Sequence, residues 1–183
     1  MIWSPLNRER WPLVALIVCA ATLSGVYILE YVFNQAPCQM CWWQRYAWFV
    51  AAPLALAAIA VRWRGAGPGL MSAFCLLLGL VFLASFVLAA WHALFEWNIA
   101  PGPETCTVAA DSLPETVRPS DLLTRPVAIP SCKDALWRLP DAPWGLSLAG
   151  MNAVLSLVMS ALSLYAASRT GRKTDTANEL APA

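Results

Sequence analysis

Charge is what this sequence has least of. Only 13% of its 183 residues are Asp, Glu, Lys or Arg, where a soluble domain carries about 25%. With 59% hydrophobic residues and a mean hydropathy of +0.57, a water-exposed globular fold is excluded and a lipid bilayer is the expected surrounding. The net charge of +1 carries no information about nucleic acid, which is not expected among the partners. Histidine occurs once, so no histidine-rich metal motif can be assembled. No internal repeat is present. The first apolar run is too long for the core of a signal peptide and has no small-x-small cleavage site behind it, so an uncleaved helix is expected.

What the chain does have is four long apolar runs, at about residues 11–33, 42–63, 70–95 and 144–167. Each suffices to cross a hydrocarbon layer of about 30 Å at 1.5 Å per helical residue. Pro53 falls inside the second and predicts a tolerated kink. The expected architecture is all-α: a single membrane domain over 1–183, a polytopic four-helix bundle with a long loop, 96–143, between helices 3 and 4 and a tail at 168–183. A structureless loop of that length is unusual unless it has a task.

An even number of spans puts both termini on one side. Arg8, Arg10, Arg62, Arg64, Arg169, Arg172 and Lys173 gather at that side, which the positive-inside rule makes cytoplasmic. Glu96, Glu104, Asp111, Glu115, Asp121, Asp134 and Asp141 fall at the other, where Cys38, Cys41, Cys106 and Cys132 also lie. In a bacterium that side is the periplasm, where disulfides persist. Trp42, Trp43, Trp91, Trp97 and Trp144 stand near the outer helix ends as an aromatic belt. On the fourth helix Ala149, Ala153, Ser156, Ser160, Ser163 and Ala167 form a stripe of small residues suited to close helix packing. Asn152 is expected to hydrogen-bond across helices, and Cys19 and Cys75 to behave as small hydrophobes.

The stretch Pro37-Cys38-Gln39-Met40-Cys41-Trp42-Trp43-Gln44-Arg45 carries the chemistry. Pro37 suits the residue just before a helix, which puts Cys41 in the first turn with Arg45 one turn further on the same face. A thiolate there gains from unpaired N–H groups, the positive dipole end and a guanidinium, and its stabilisation makes the matching disulfide a stronger oxidant. A bridge across two residues would staple almost nothing, which argues for redox work over structure. A zinc site that recruits Cys106 and Cys132 as further ligands is the alternative. The loop pair itself reads either as a static stabilising bridge or as an exchangeable pair that relays to the first. Glu30 and His92, near the outer ends of helices 1 and 3, are ionisable groups at the membrane boundary and so functional candidates.

Taken together, Glu30-Tyr31 upstream of Pro37-Cys38, the Cys-Gln-Met-Cys motif with Arg45 behind it, the Cys106 and Cys132 pair, and Gly145-Leu146-Ser147-Leu148-Ala149-Gly150 at the fourth helix resemble the DsbB family over most of the chain. The resemblance implies a thiol:quinone oxidoreductase of the bacterial inner membrane. It would reoxidise a periplasmic DsbA-like protein of thioredoxin fold and pass the electrons to ubiquinone or menaquinone. Carried over by position, Cys106 receives the partner's thiolate, Cys132 exchanges with the Cys38–Cys41 disulfide, Cys41 faces the quinone, and Arg45 holds it. His92 is a further candidate for quinone contact. Gln44 departs from the glutamate of some members, and the proline-rich approach to Cys132 implies a partner contact that differs in detail.

Overall fold

A computed structural model describes residues 9–103, 106, 132–133, 135, 137–139 and 145–168. Most of the expected loop and the tail after residue 168, with Trp144 and most of the acidic residues named above, lie outside the described residues. Among the described residues, four helices are long and apolar enough to cross a membrane: α1 (Trp11–Tyr31), α2 (Gln39–Trp63), α3 (Pro68–Glu96) and α4 (Leu148–Ser168). The fold is the expected four-helix membrane bundle. The shortest spans have 21 residues, about 32 Å of helix at 1.5 Å per residue.

The connections explain where the helices stop. Pro68 occupies the first turn of α3, where its missing N–H costs no hydrogen bond. The turn before it needs a left-handed residue, and Gly65 supplies it at φ 81°. Asn34 and Asn98 take the same conformation, φ 53° and 59°, just past the ends of α1 and α3. Asparagine tolerates that region better than other side chains, which lets the chain turn off the helix at each of these ends.

The bundle is apolar outside and small or polar inside. Ile17, Leu56, Val87 and Val154 are more than half exposed, whereas Ser85, Ser156, Ser160 and Ser163 are buried. Lipid is as apolar as leucine, so helices associate through close packing and hydrogen bonds rather than through burial of oil. Ser85 and Ser156 pair at 2.9 Å, Ser160 donates to the Gly79 carbonyl at 2.9 Å, and the Trp11 indole donates to Ser163 at 2.9 Å. Each such bond contributes about 0.6–2 kcal/mol in a membrane. α3 packs most extensively on α4, and α2 sits between α3 and α1. The small stripe of α4 is the contact face, although it ends on buried Ala166, with Ala167 half-buried beside it. Cys19 and Cys75 are fully buried in the mid-bundle core with Ala15, Ala51, Leu78 and Phe82.

The helix ends differ from expectation where local chemistry intervenes. α2 starts at Gln39, three residues early, because Cys38 caps it. α4 starts at Leu148, because Leu146–Ser147 pairs as β2 with β1 (Arg138–Leu139) in an antiparallel two-residue ladder, Arg138 opposite Ser147. Gly145-Leu146-Ser147 therefore precedes the fourth helix rather than opening it. Glu96 is the last residue of α3, and it is buried rather than the start of a polar loop.

Candidate active site

Pro37 hands the chain to Cys38, whose backbone is extended and whose sulfur accepts the Cys41 N–H at 3.2 Å. The cysteine thus takes the place that Ser or Asp usually fills, satisfying one of the free N–H groups at the helix start. The sequence put the dipole-favoured sulfur on Cys41; the geometry gives that position to Cys38. Cys38 and Cys41 are unbonded thiols whose sulfurs stand 2.7 Å apart. The hydrogen bond from the Cys41 thiol holds Cys38 well below the ordinary thiol range, and the His92 ring adds to this against the opposing effect of burial. Of the two sulfurs, Cys38 is the one that these contacts favour as a thiolate.

Cys106 and Cys132 are joined by a disulfide and pack into the same small cluster as Cys38, Cys41, Met40 and Phe95, with Trp43 and Trp91 alongside. Cys132 is buried and Cys106 half-buried, so the outer sulfur of the bridge is the more accessible. The alternative set of four thiolate ligands is not what the structure holds, since two of the four sulfurs are bonded to each other.

Arg45 is buried against α1. Its guanidinium donates to Glu30 at 2.5 Å, with the Trp42 ring 4.7 Å and the Tyr27 ring 5.4 Å from its centre. A charge that close to the bilayer requires such company. Glu30 is therefore an ion-pair partner, not a solvated interfacial carboxylate.

Behind the cysteines runs a chain of side-chain hydrogen bonds whose direction is set by its far end. The Trp48 indole nitrogen is a donor only, and it donates to Asn152 Oδ1 at 3.0 Å. Asn152 Nδ2 must then face Gln44 Oε1, at 2.7 Å, and Gln44 Nε2 must face His92 Nδ1, at 2.7 Å. Nδ1 accepts, so the ring proton is on Nε2, which donates to the Cys132 carbonyl at 3.1 Å. The same N–H lies 3.8 Å from the Cys38 sulfur and 3.6 Å from Glu96 Oε1. Cys38, Cys41 and His92 do bring one donor atom each within 4.8 Å of one another. Nε2 has no lone pair to offer in this tautomer, so the cluster is a hydrogen-bonded thiol site and not a ligand set.

These groups form the polar end of a cavity of about 420 Å³, within the range of small-molecule sites. Its remaining wall is mostly apolar, from Val26 and Leu29 of α1 to Leu148, Met151 and Leu155 of α4. Cys38, Cys41, Arg45, His92 and Cys132 all line it. The structure thus gathers the candidates singled out in the sequence except Cys106, which joins through its bond to Cys132, and Glu30, which joins through its ion pair with Arg45. Sequence reasoning passed over Glu96 and treated Gln44 only as a neutral replacement. The one available signal was spacing: His92 and Glu96 are four residues apart, hence on one helix face.

Residues 8–166 match the family described as disulfide bond formation protein DsbB. The chain is 31% identical over 175 residues to disulfide bond formation protein B 1 of Pseudomonas entomophila, covering 92% of this chain and 97% of that protein. Disulfide bond formation protein B of Marinobacter nauticus is 26% identical over 159 residues, 86% of this chain and 90% of the relative. The Burkholderia thailandensis protein of that name is 36% identical over 112 residues, 60% and 64% of the two chains. No solved structure matches significantly. A family match across nearly all of the bundle, added to two cysteine pairs packed together at one end of four spans, means that this chain belongs to the DsbB family of disulfide-forming oxidoreductases of the bacterial inner membrane.

Proposed function

We propose that the chain takes electrons from a reduced periplasmic DsbA-like protein through Cys106–Cys132, passes them to Cys38–Cys41, and releases them to a membrane quinone. The observation that carries this reading is the single cluster of four cysteines bordering a largely apolar cavity beside Arg45. Both termini lie on the cytoplasmic side and the cysteines face the periplasm, in keeping with the basic residues at the opposite helix ends.

The partner's thiolate attacks the Cys106 sulfur, the accessible one; an S–S bond forms between the proteins and Cys132 leaves as a thiolate. The partner's second thiol then displaces Cys106 and departs oxidised, which leaves Cys106 and Cys132 reduced. Cys132 attacks the Cys38–Cys41 disulfide at Cys38 and frees Cys41. Cys106 attacks the Cys38–Cys132 bond, restoring the outer bridge and leaving Cys38 and Cys41 as thiols. The structure holds the cysteines in that state of bonding, outer pair bonded and inner pair reduced. The Cys38 thiolate at the helix start favours this direction, because it stabilises the reduced inner pair.

The cavity fits a quinone head group by size, by its apolar wall and by the donors at its polar end. When bound, a quinone supplies an acceptor for two electrons and two protons. Arg45 is the residue that holds a quinone oxygen, and Glu30 with the two flanking rings fixes the guanidinium's position. His92 orients the inner pair through Nε2–H and anchors the Cys132 backbone. Ubiquinone and menaquinone both fit this description.

The test is an assay of purified protein with quinone and a reduced thioredoxin-fold partner, following quinone reduction. Cys41→Ser and Cys106→Ser should each abolish turnover, whereas Cys19→Ala should leave it intact. Normal turnover by the Cys41→Ser protein removes the assignment.

A further inference from the structure

Glu96 is the buried group that the relay leaves without a task. It is 7% exposed and lines the cavity, and Oε2 is a buried side-chain oxygen with no hydrogen-bond partner among the described residues. A carboxyl group is not kept in such a place without a counterpart, because an unmet buried polar atom costs about 1–3 kcal/mol. Its surroundings come from four elements. His92 of α3 is 3.6 Å from Oε1, Arg138 of β1 donates to the Glu96 backbone carbonyl at 3.4 Å, and the Ser147 side chain of β2 lies beside the carboxyl. Cys38 and Cys41 at the start of α2 complete the set.

A His–Glu pair in contact usually shares a proton as imidazolium and carboxylate. Here the amide chain forbids it. An imidazolium would carry a proton on Nδ1, which faces the Gln44 NH₂ group at 2.7 Å. Turning Gln44 to relieve this sets its NH₂ against that of Asn152, and turning Asn152 sets its NH₂ against the Trp48 indole N–H, which has no acceptor form. Either way one buried donor meets another. Burial away from water disfavours a charged carboxyl there, as a thiolate on Cys38 would, while the Arg138 guanidinium at the Glu96 backbone carbonyl acts the other way.

We infer that Glu96 is a neutral carboxylic acid that stores a proton at the cavity wall and delivers it to a quinone oxygen as Cys38 and Cys41 close their disulfide. This rests on the quinone reading above and deepens it by naming the proton source. The balance is simple. Closing the inner disulfide from the Cys38 thiolate and the Cys41 thiol sheds two electrons and one proton, whereas reduction of a quinone to a quinol takes up two electrons and two protons. Cys41 supplies one proton and Glu96 the other, and Glu96 is reprotonated from bulk water, which received the proton that Cys38 gave up when it ionised. The free Oε2 is where the acceptor's oxygen would meet it.

His92 is the chain's only histidine, so ¹⁵N-histidine labelling of the full-length protein in bilayers reads a single ring. The expected signal at neutral pH, with no quinone present, is the neutral Nε2–H tautomer; an imidazolium or an Nδ1–H tautomer overturns the proposal. Infrared spectra should show a protonated-carboxyl stretch that Glu96→Gln removes, and its persistence in that variant likewise overturns the proposal. With quinone, Glu96→Gln should bind within about threefold of wild type in the oxidised protein, while single-turnover reduction slows by about 100-fold. An unchanged single-turnover rate rejects the proton-donor role. Should Glu96→Gln not fold, the infrared band is assigned on wild type by ¹³C-glutamate labelling, and a carboxylate signal alone rejects the proposal. Failure of the quinone reading looks different: no quinone binds to wild type, while the histidine and carboxyl signals stand as stated.

Discussion

Cys75 and Cys38 are both buried cysteines in the same bundle, yet only one is built to react. Cys75 is buried in the core cluster with Leu78, Phe82 and alanines, about two turns inside α3, and its thiol is a filler of small volume. Cys38 ends an extended segment, caps α2, touches a second thiol and lies beside an imidazole N–H. Burial alone keeps a thiol neutral; burial beside hydrogen-bond donors favours the thiolate. What separates the two regions is where the backbone stops being helical. Mid-bundle N–H groups are all spent on the helix ladder, whereas the outer ends leave some free, and sulfur collects there.

The sharpest way to break this contrast is to exchange stability for function between the two regions. Leu78→Ala empties a fully buried site in the core and should cost about 2–5 kcal/mol of stability, read by thermal unfolding in detergent, with the KM for quinone unchanged. Arg45→Ala should do the reverse at the outer end. The quinone KM should rise about tenfold, equivalent to about 1.4 kcal/mol, while the KM for the thiol partner stays put. Glu30→Gln should raise the quinone KM by a smaller factor in the same direction, because the guanidinium remains but loses its anchor. An unchanged quinone KM in Arg45→Ala would show that the ion pair serves only the fold.

The next effect is on titration. A lowered thiol pKa means that the thiolate persists as pH falls, until pH passes the folded value. Ultraviolet thiolate absorbance of the reduced inner pair should therefore remain at about pH 7, where an ordinary thiol of pKa about 8.5 is mostly protonated. Cys41→Ala removes the largest cause, the thiol hydrogen bond, and should move the Cys38 titration up toward the ordinary range. Cys41→Ser keeps a donor there and should move it less. Cys19→Ala and Cys75→Ala should leave the curve where it is, and a shift in either variant contradicts the separation of the two regions.

That separation was only half legible in the sequence. The four spans, the small stripe of α4 and the inert cysteines follow from composition and period, because lipid solvation imposes both over long stretches. The Cys38-x-x-Cys41 motif with Arg45 was legible because capping and the i, i+4 relation are local. Its finer point was not: whether the first or the second cysteine caps the helix depends on whether α2 starts at residue 39 or a few residues later, and a boundary of that kind is the least determined feature of a sequence. The chain from Trp48 through Asn152 and Gln44 to His92 was out of reach, since it joins α2, α3 and α4 across more than a hundred positions. Glu96 was taken for loop because a charge after an apolar run reads as its end, and only the packing of β2 against it reveals otherwise.

The smallest predicted effects test the same contrast with one substitution made twice. A methyl group on Gly102 would overlap three atoms of the Phe95 ring, Cε2, Cζ and Cδ2. That ring is packed into the cysteine cluster and has little room to turn, so Gly102→Ala should displace it and slow exchange between the two pairs by a few-fold. A methyl group on Gly79 meets Leu164 instead, at 2.7 Å from Cδ2 and 2.9 Å from Cγ. Leu164 is 36% exposed and its flexible end can swing out into lipid, but its backbone N, 3.4 Å away, cannot, so Gly79→Ala should cost about 1–3 kcal/mol of stability and leave the exchange rate alone. Exchange is read by rapid acid quenching and mass mapping of the cysteine pairs, stability by thermal unfolding. Should Gly79→Ala slow exchange as much as Gly102→Ala does, the outer cluster is not an independent unit, and the bundle below it sets the sulfur geometry after all.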